Sequence, residues 1–376
     1  MQKIFLIFIV FLLSINAFSQ VENLMEKYIL PQSIEENSGI LFFNNKLVIH
    51  NDSQNQANLY ELDTITNQIT RAIAITNATN SDWEDIAEDD NYIYIGDIGN
   101  NYGTRTDLKI YRINKSNFIN SNTVNAEIIN YSYEDQTSFV ADAYTNFDAE
   151  SMAIIGDNIH IFTKNRGNFE TNHYTFSKTI GTHSATLISS YNIEGLATGA
   201  TYDPSINSVL LSGYTQQLKP FIIILSDLDT TLKFNFVQKD DLYSTISYNQ
   251  IEGITLINGN RYFLSSEKFT YNSTTIDPKL FTLNFNPAIL NTSQFSKTSG
   301  KVYPNPVTDY LIFEGFLGNT FFIYDIYGKL IYQNNIKNNK FKWNRINQFG
   351  SSVSSGVYFV KSVSLNTTFT KKIILK

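Results

Sequence analysis

The sequence predicts an all-β protein: a five-bladed β-propeller, with six blades as the alternative, followed by a small β-sandwich. Three observations favour this fold, namely short strand candidates rich in β-branched and aromatic residues, an internal repeat of about fifty residues, and almost no helical periodicity. The chain has 376 residues and no cysteine. Disulfides are therefore excluded, and stability must come from an ordinary hydrophobic core.

The N-terminal residues have the layout of a secretory signal peptide. Lys3 precedes an apolar run over residues 4–13, and the small residues Ala17 and Ser19 follow it. This run is about half as long as the roughly twenty apolar residues that a transmembrane helix needs. We therefore expect residues 1–19 to be a signal peptide and the mature chain to have no transmembrane segment.

The next region, residues 20–285, contains five segments with one layout: an apolar strand, a polar turn, a second apolar strand and a polar loop. These segments span residues 36–52, 82–97, 148–165, 197–214 and 250–267. Further strand candidates follow each segment, and four strands per repeat are typical of propeller blades.

The fifth repeat has only three strand candidates of its own. Residues 26–30, ahead of the first repeat, can supply its outer strand and close the ring. A sixth blade is the alternative if the segment between Asn114 and Asp148 contains one. A β-sandwich would also have many short strands, but it would not have this repeat.

Polar residues follow the repeat and predict one shared site. In a blade, the first strand begins and the second ends on the same side, so these residues meet at one mouth of the channel. The predicted ligand-binding residues at this mouth are Glu36, His50, Asp52, Glu84, Asp85, Asp97, Asn100, Arg105, Glu150, Lys164, Arg166, Glu252 and Glu267. The alternative is that the acids cap turns and pair with the neighbouring Lys and Arg side chains.

We expect carboxylates at the equivalent position of four of the five repeats. Like charges around a channel raise each other's pKa or bind a cation. Carboxylate and amide oxygens suit Ca²⁺ better than zinc, for which the chain has four histidines and no cysteine. The candidate calcium ligands are Glu84, Glu150 and Glu252. Trp83 is either a platform for a sugar ring or, as we favour, a wedge between two blades.

Charge is divided unevenly along the chain. Residues 20–300 contain 17 Lys and Arg against 32 Asp and Glu, whereas residues 301–376 contain ten against three. Nucleic-acid partners are not expected, because a phosphate backbone selects clustered Lys and Arg. Residues 286–301, rich in Asn, Thr and Ser, are predicted to be a linker.

The C-terminal residues carry a series of short motifs. Their defining residues are Tyr303, Pro304, Asn305 and Pro306 at the start, Gly328 and Gly356 further on, and Lys372 near the end. The series resembles the type A C-terminal sorting domain of the type IX, or Por, secretion system of Bacteroidetes, over residues 302–376. The resemblance implies that the type IX machinery exports the protein, which is then secreted or attached to the outer-membrane surface.

The repeats also resemble known proteins. Residues 82–87 and 95–101, with the Glu150-Ser151-Met152 step, are similar to a group of secreted bacterial propeller proteins of uncharacterised activity. More distantly, the Glu-Gly-Ile and Glu-Ser-Met strand starts resemble phytase-like and esterase-like propellers. Some members of those families use calcium in the channel.

The sequence is compatible with two functions. The first is binding of a carbohydrate, peptide or small-molecule ligand, or of a surface partner, at the acidic mouth. The second is a calcium-assisted hydrolase, phosphoesterase-like or lactonase-like. No Gly-x-Ser-x-Gly elbow, His-Glu-x-x-His pair, phosphate-binding glycine loop or cysteine nucleophile occurs in the sequence, so whether the protein is an enzyme is uncertain.

Overall fold

The computed structural model describes residues 21–271, 273–285, 301–316, 320–326, 329–338, 340–363 and 368–376. Among these residues there is one short helix, α1 (Lys115–Asn120), and one 3-10 turn (Gln32–Ile34), and the rest of the regular structure is strand. The all-β prediction is confirmed. The predicted signal peptide and residues 286–300 of the predicted linker lie outside the described residues.

The chain forms two compact units, residues 1–287 and 288–376. The first contains five sets of four antiparallel strands, which we call repeats 1 to 5. Repeat 1 consists of β2 (Asn37–Phe43), β3 (Lys46–Asn51), β4 (Asn58–Asp63) and β5 (Gln68–Ile75). Repeat 2 consists of β6 (Trp83–Glu88), β7 (Tyr92–Asp97), β8 (Lys109–Asn114) and β10 (Glu127–Tyr133).

Repeats 3 to 5 have the same order of strands. Repeat 3 consists of β11 (Ala149–Ile155), β12 (Asn158–Thr163), β13 (Glu170–Ser177) and β14 (Gly181–Asn192). Repeat 4 consists of β15 (Leu196–Asp203), β16 (Ser208–Tyr214), β17 (Pro220–Leu228) and β18 (Phe234–Asp241). Repeat 5 consists of β19 (Ile251–Asn258), β20 (Arg261–Ser266), β23 (Lys279–Phe285) and β1 (Val21–Ile29).

The first described strand therefore completes the last repeat. β1 pairs antiparallel with β23, with Val21 opposite Phe285, as expected for the missing outer strand. Between Asn114 and Asp148 the structure has α1, β10 and the two-residue β9 (Thr123–Val124), which pairs parallel with β5. Within the described residues, this segment forms no four-stranded set of its own.

Two further pairings connect or extend the repeats. β10 pairs parallel with β14, so repeats 2 and 3 form one eight-stranded sheet. A small hairpin of β21 (Phe269–Tyr271) and β22 (Thr274–Ile276) projects after β20.

Neighbouring repeats share hydrophobic cores. Trp83 and Ile95 of repeat 2 pack in one cluster with Val48 and Ile73 of repeat 1. Because both faces of an inner strand are covered in this way, β16 is buried at all seven positions instead of alternating between buried and exposed residues. Outer strands such as β5 keep the alternating pattern of a half-exposed strand.

The first strands of the five repeats contact one another in a closed series, in the order β2, β6, β11, β15, β19 and back to β2. Each has a free edge on the side away from its own sheet, whose backbone groups need partners. Side chains of neighbouring first strands supply some of them. Thr255 Oγ1 accepts from Phe42 N at 3.0 Å, and Thr201 Oγ1 accepts from Leu256 N at 3.3 Å.

Every first strand also carries a β-bulge near its start, where its pairing with the second strand shifts register. A bulge adds one residue to a strand and changes the direction in which the side chains around it point. The equivalent residues at the five bulges are Ser38, Glu84, Glu150, Thr198 and Glu252. Repeats 2, 3 and 5 thus have a carboxylate here, and not four repeats as expected, because Glu36 lies two residues before the bulge of repeat 1.

The second unit has two sheets. One contains β24 (Lys301–Tyr303), β25 (Leu311–Glu314) and β28 (Lys340–Trp343), and the other contains β26 (Thr320–Asp325), β27 (Leu330–Asn335), β29 (Gly356–Val363) and β30 (Thr368–Leu375). Phe313 and Trp343 of the first sheet share one core with Phe321, Val360 and Ile373 of the second. This unit therefore has a core of its own.

Two of the predicted sorting residues, Asn305 and Lys372, contact each other. The Asn305 side chain donates to Lys372 O at 3.0 Å and accepts from Ile374 N at 2.9 Å, which ties the start of the unit to its last strand. Gly328 lies outside the described residues. Among the described residues of both units, no helix has the length and apolar character needed to cross a membrane.

Candidate functional site

A polar cavity of about 110 Å³ lies where the first strands begin. We call it the acidic cavity, and its lining residues are Ser38, Asp52, Glu84, Asn101, Glu150, Lys164, Arg166, Tyr214, Gln250, Glu252 and Glu267. The bulges of repeats 1, 2, 3 and 5 each contribute one of these side chains. Since a water molecule occupies roughly 30 Å³ in the liquid, the cavity has room for an ion or a few small polar groups.

The cavity brings together part of the predicted site. Of the predicted residues, Asp52, Glu84, Glu150, Lys164, Arg166, Glu252 and Glu267 line it, whereas Glu36, His50, Asp85, Asp97, Asn100 and Arg105 do not. Glu36 is exposed and accepts a hydrogen bond from Asn55 Nδ2 at 2.8 Å.

His50 lies in the core between repeats 1 and 2. Its ring meets the Trp83 ring edge-on at 5.7 Å, and burial lowers the pKa of His50 to about 4, so the imidazole is neutral near pH 7. Trp83 is fully buried and its indole N–H donates to Thr79 O at 3.1 Å. Trp83 therefore occupies the position of a wedge between repeats 1 and 2.

Asp85 is fully buried behind the cavity and joins three first strands. Its carboxylate accepts from Met152 N at 2.7 Å, Ala200 N at 2.9 Å and Ile86 N at 2.9 Å. Burial raises the pKa of Asp85 well above its ordinary value, while the three N–H donors act in the opposite direction. The side chain therefore supplies acceptors to the free edges of β11 and β15.

Asp97, Asn100 and Arg105 organise the loop after β7. Arg105 Nη2 lies 2.8 Å from Asp97 Oδ1, and Arg105 N donates to Asn100 Oδ1 at 2.9 Å. Asn100 N donates to Asp148 Oδ1 at 2.7 Å, which fastens this loop to the start of repeat 3. These contacts fit the alternative interpretation of the sequence, in which the acids cap turns and pair with Arg side chains.

Three acids form a tighter group on one side of the cavity. Oxygen atoms of Asp52, Asp82 and Glu84 lie within 4.8 Å of one another. A side chain at Gly99 would place its Cβ only 2.3 Å from Glu84 Oε1 and 2.4 Å from Asp82 Oδ2. Glycine at this position lets the loop backbone pass close to both carboxylates.

Glu84 is the least compensated of these acids. It is 6% exposed, and within the described residues no hydrogen bond or ion pair reaches its carboxylate. Burial, followed by the charges of Glu150, Asp52 and Asp82, raises its pKa well above the ordinary value. Burial likewise raises the pKa of Asp82, to about 6, with the charge of Asp52 adding to the effect.

Glu150 and two cations form a separate ion-paired group. Lys164 Nζ bonds to Glu150 Oε2, while Arg166 bonds to Asp148 and lies 3.4 Å from Glu150 Oε1. Burial raises the pKa of Glu150 to about 7 although the Lys164 charge opposes it. Burial tends to lower the pKa of Lys164, but the charge of Glu150 outweighs this and raises it well above its ordinary value.

Glu252 and Glu267 complete the lining. Glu252 is 7% exposed, and no hydrogen bond or ion pair reaches its side chain in the part of the chain that the structure describes. Burial raises the pKa of Glu252 well above its usual range, and the charge of Glu267 adds to this effect although Lys164 opposes it. Burial also raises the pKa of Glu267, to about 7.

Sequence reasoning missed two acids that shape this site, Asp82 and Asp148. Both lie two residues before a bulge glutamate, in Asp82-Trp83-Glu84 and Asp148-Ala149-Glu150. The repeated Asp-x-Glu spacing is the signal that could have found them. Asn101 connects the two groups of acids, because it donates to Asp82 at 3.3 Å and accepts from Arg166 at 2.8 Å.

A larger cavity of about 530 Å³ lies at the opposite ends of the first strands. Its lining combines apolar residues such as Phe42 and Leu256 with charged ones such as Glu88, Asp89 and Lys115. Asp85 bonds to Met152 and Ala200, which line this second cavity, so its side chain lies between the two cavities. The acidic cavity is the better candidate site because buried carboxylates converge there, and two of them, Glu84 and Glu252, have no side-chain partner among the described residues.

Residues 301–376 match the family described as the secretion system C-terminal sorting domain. The predicted sorting domain is thereby confirmed, and the protein is exported by the type IX secretion system to the cell surface or the exterior. No curated protein matches the chain.

Several solved structures show a distant likeness. PorZ, an essential surface component of the type IX secretion system of Porphyromonas gingivalis, is 14% identical with a TM-score of 0.39, over 90% of this chain and 45% of PorZ. The exo-β-1,3-galactanase of Phanerochaete chrysosporium is 11% identical with a TM-score of 0.44, over 94% of this chain and 100% of the galactanase. Kuenenia stuttgartiensis hydrazine synthase is 9% identical with a TM-score of 0.35, over 93% and 98%. At these TM-scores the likenesses say nothing about function.

Proposed function

We propose that this exported protein is a five-bladed β-propeller, followed by a β-sandwich sorting domain, that binds Ca²⁺ in the acidic cavity and presents this mouth to a ligand outside the cell. Five sets of four strands support the blade count. The closed series of first strands supports the ring, since each blade of a propeller places its first strand at the channel.

The observation that carries the calcium proposal is the Glu84 carboxylate. An ionised carboxylate that is buried without a partner costs several kcal/mol, so such a group is normally protonated, paired or bound to a metal. Glu84 faces Asp52 and Asp82, and bringing three like charges together without a cation is unfavourable. A divalent cation would turn this repulsion into attraction.

The geometry of the three acids fits calcium. Ca²⁺ binds oxygen ligands at about 2.3–2.6 Å, so two ligands on one ion are at most about 5 Å apart. The 4.8 Å grouping of Asp52, Asp82 and Glu84 satisfies this limit. Of the other glutamates predicted as ligands, Glu150 is already paired with Lys164, and Glu252 is not in the group of acids whose oxygens lie within 4.8 Å of one another. We therefore assign the ion to the Asp52, Asp82 and Glu84 group.

Isothermal titration calorimetry of the full chain, after removal of divalent ions with a chelator, tests the proposal. We expect one Ca²⁺ site in the wild type, and at least about tenfold weaker binding in Glu84→Gln and Asp82→Asn, since each loses a charged ligand. Asp157→Asn is the matched control, because Asp157 is 99% exposed on the turn between β11 and β12. Absence of calcium binding in the wild type, or equal binding in all four proteins, would show that the assignment is wrong.

A calcium-assisted hydrolase is the second candidate, and one observation favours it. The pKa values of Glu150 and Glu267 are both raised to about 7, the range in which a carboxyl group can donate or accept a proton at neutral pH. A bound cation would supply polarisation of the substrate and activation of water.

Assays with ester, lactone, phosphate-ester and glycoside substrates separate the two functions. A hydrolase should lose at least about a hundredfold in kcat/KM in Glu150→Gln while still binding calcium. If the wild type hydrolyses none of these substrates with calcium bound, the binding function is retained and the hydrolase is rejected.

A further inference from the structure

Four large apolar side chains are exposed on the two loops that follow β7 and β10. Tyr102 is 59% exposed, Phe139 42%, Val140 78% and Tyr144 73%. We call these four residues the apolar rim. Single exposed apolar residues are common, but several on adjoining loops next to a polar cavity indicate a recognition surface.

The loops that carry the rim are fixed to each other. Asp142 N donates to Tyr102 O at 3.0 Å, which joins the loop after β7 to the loop after β10. Gln136 Nε2 donates to Gly103 O at 2.8 Å, and Thr145 N donates to Asp142 O at 3.2 Å. The exposed rings are thus held on loops with specific backbone contacts, so less conformational entropy is lost when a ligand binds.

The rim borders one particular wall of the cavity. Tyr102 follows Asn101, which lines the cavity and accepts from Arg166 Nη2 at 2.8 Å. Tyr144 O lies so close to Gly167 that a Cβ there would be 2.8 Å away, and Gly167 follows Arg166. The two tyrosines therefore flank the wall formed by Asn101 and Arg166.

The lining of the cavity offers both donors and acceptors of hydrogen bonds. Arg166 and Asn101 carry N–H donors, while Glu150 and the unpaired Glu252 carry acceptors. A molecule with many hydroxyl groups uses both kinds of partner, and the apolar faces of its sugar rings can pack on tyrosine rings. A cationic peptide that approached over the rim would instead meet the Arg166 guanidinium.

We propose that the apolar rim and the acidic cavity together bind a neutral oligosaccharide, whose ring packs on Tyr102 and Tyr144 while its hydroxyl groups enter the cavity. This inference rests on the proposed ligand-binding role of the cavity and names its ligand class. Calcium has six to eight oxygen ligands, so positions beyond the three carboxylates would accept sugar hydroxyl groups.

An array of neutral glucose, galactose and mannose oligosaccharides, probed with the full chain in the presence of Ca²⁺, tests the proposal. We expect binding to at least one sugar series, and a loss of about tenfold or more in affinity in the Tyr102→Ala/Tyr144→Ala double variant. Ile65→Ala is the control, because Ile65 is 82% exposed on the turn between β4 and β5, at the far end of repeat 1. The Ile65→Ala variant should bind sugars with the same affinity as the wild type.

Calcium titration of the same variants separates this inference from the proposed function. The double variant should bind Ca²⁺ with unchanged affinity, which also shows that it is folded. If calcium binds but no sugar does, or if the double variant binds sugar normally, the oligosaccharide proposal is wrong and the calcium proposal is unaffected. If poly-lysine binds through the rim and no sugar binds, the oligosaccharide proposal is wrong and the ligand is a cationic peptide.

Discussion

At the scale of single residues, chemically similar acids have different roles because their surroundings differ. Asp85 and Glu84 are adjacent in sequence and both are buried, yet Asp85 accepts three backbone N–H groups and Glu84 accepts none within the described residues. The sequence predicted that both would lie near the mouth. It could not separate them, because the β-bulge decides which side chain lines the cavity and which lies behind it.

The first prediction concerns the cost of charge on Glu84. Its folded pKa is raised, so the folded state binds a proton more readily than the unfolded chain, and stability is lost as pH rises above the unfolded value of about 4.3. In the presence of a chelator at pH 8, Glu84→Gln should raise the free energy of unfolding by about 1–3 kcal/mol. This gain in the free energy of unfolding should vanish near pH 4.

Urea denaturation at both pH values measures this difference. Glu36→Gln is the control, since Glu36 is exposed and should give no gain at either pH. A Glu84→Gln protein that is less stable than the wild type at pH 8 without calcium would contradict the view that this charge is uncompensated.

The second prediction concerns Asp85. Asp85→Ala leaves the N–H groups of Met152 and Ala200 without their acceptor in a buried place, at a cost of about 1–3 kcal/mol for each group. We expect a loss of roughly 3 kcal/mol in the free energy of unfolding, measured in urea. Asp157→Ala, at an exposed turn, should change it by less than about 0.5 kcal/mol. Equal stabilities of the two variants would remove the structural role assigned to Asp85.

At the scale of elements, the free edges of the first strands account for the polar residues in the inner part of the fold. Each has an edge with no strand partner in the described part of the chain, and Thr201, Thr255 and Asp85 supply acceptors to these edges. The strands themselves were predictable from their apolar runs and turn residues. These hydrogen bonds were not, because they join residues that are distant in sequence and depend on how neighbouring repeats are aligned.

The third prediction tests this edge hydrogen bonding. Thr255→Val keeps the shape of the side chain but removes the hydroxyl that accepts from Phe42 N. Since Thr255 is buried, the unpaired N–H should cost about 1–3 kcal/mol of the free energy of unfolding.

Thr186→Val, at an exposed position of β14, is the matched control and should be close to neutral. Chemical denaturation of both variants supplies the comparison. A neutral Thr255→Val would mean that the edge of β2 does not need this acceptor.

At the scale of the whole molecule, the chain combines two units with separate cores and opposite charge. The repeat length, the missing outer strand and the sorting motifs were all visible in the sequence, because each depends on local patterns. The grouping of Asp52, Asp82 and Glu84 was not, because Asp52 and Asp82 belong to different repeats and their approach depends on how those repeats pack. Asp52 follows β3 of repeat 1, whereas Asp82 and Glu84 belong to the start of repeat 2, and the packing of these two repeats brings the three acids together.

The fourth prediction concerns export. Because the second unit has its own core, deletion of residues 302–376 should leave the first unit folded but retain it in the periplasm. Cell fractionation, with circular dichroism of the purified truncated protein, checks both parts. Normal appearance of the truncated protein outside the cell would contradict the role of the sorting domain.

Anomalous diffraction from crystals of the full chain grown with Ca²⁺ locates the ion that we propose for the acidic cavity. We expect one anomalous peak at about 2.3–2.6 Å from carboxylate oxygens of Asp52, Asp82 and Glu84. A peak bound instead by Glu150 and Glu252, or no peak in the cavity at a calcium concentration that saturates the calorimetric site, would contradict it.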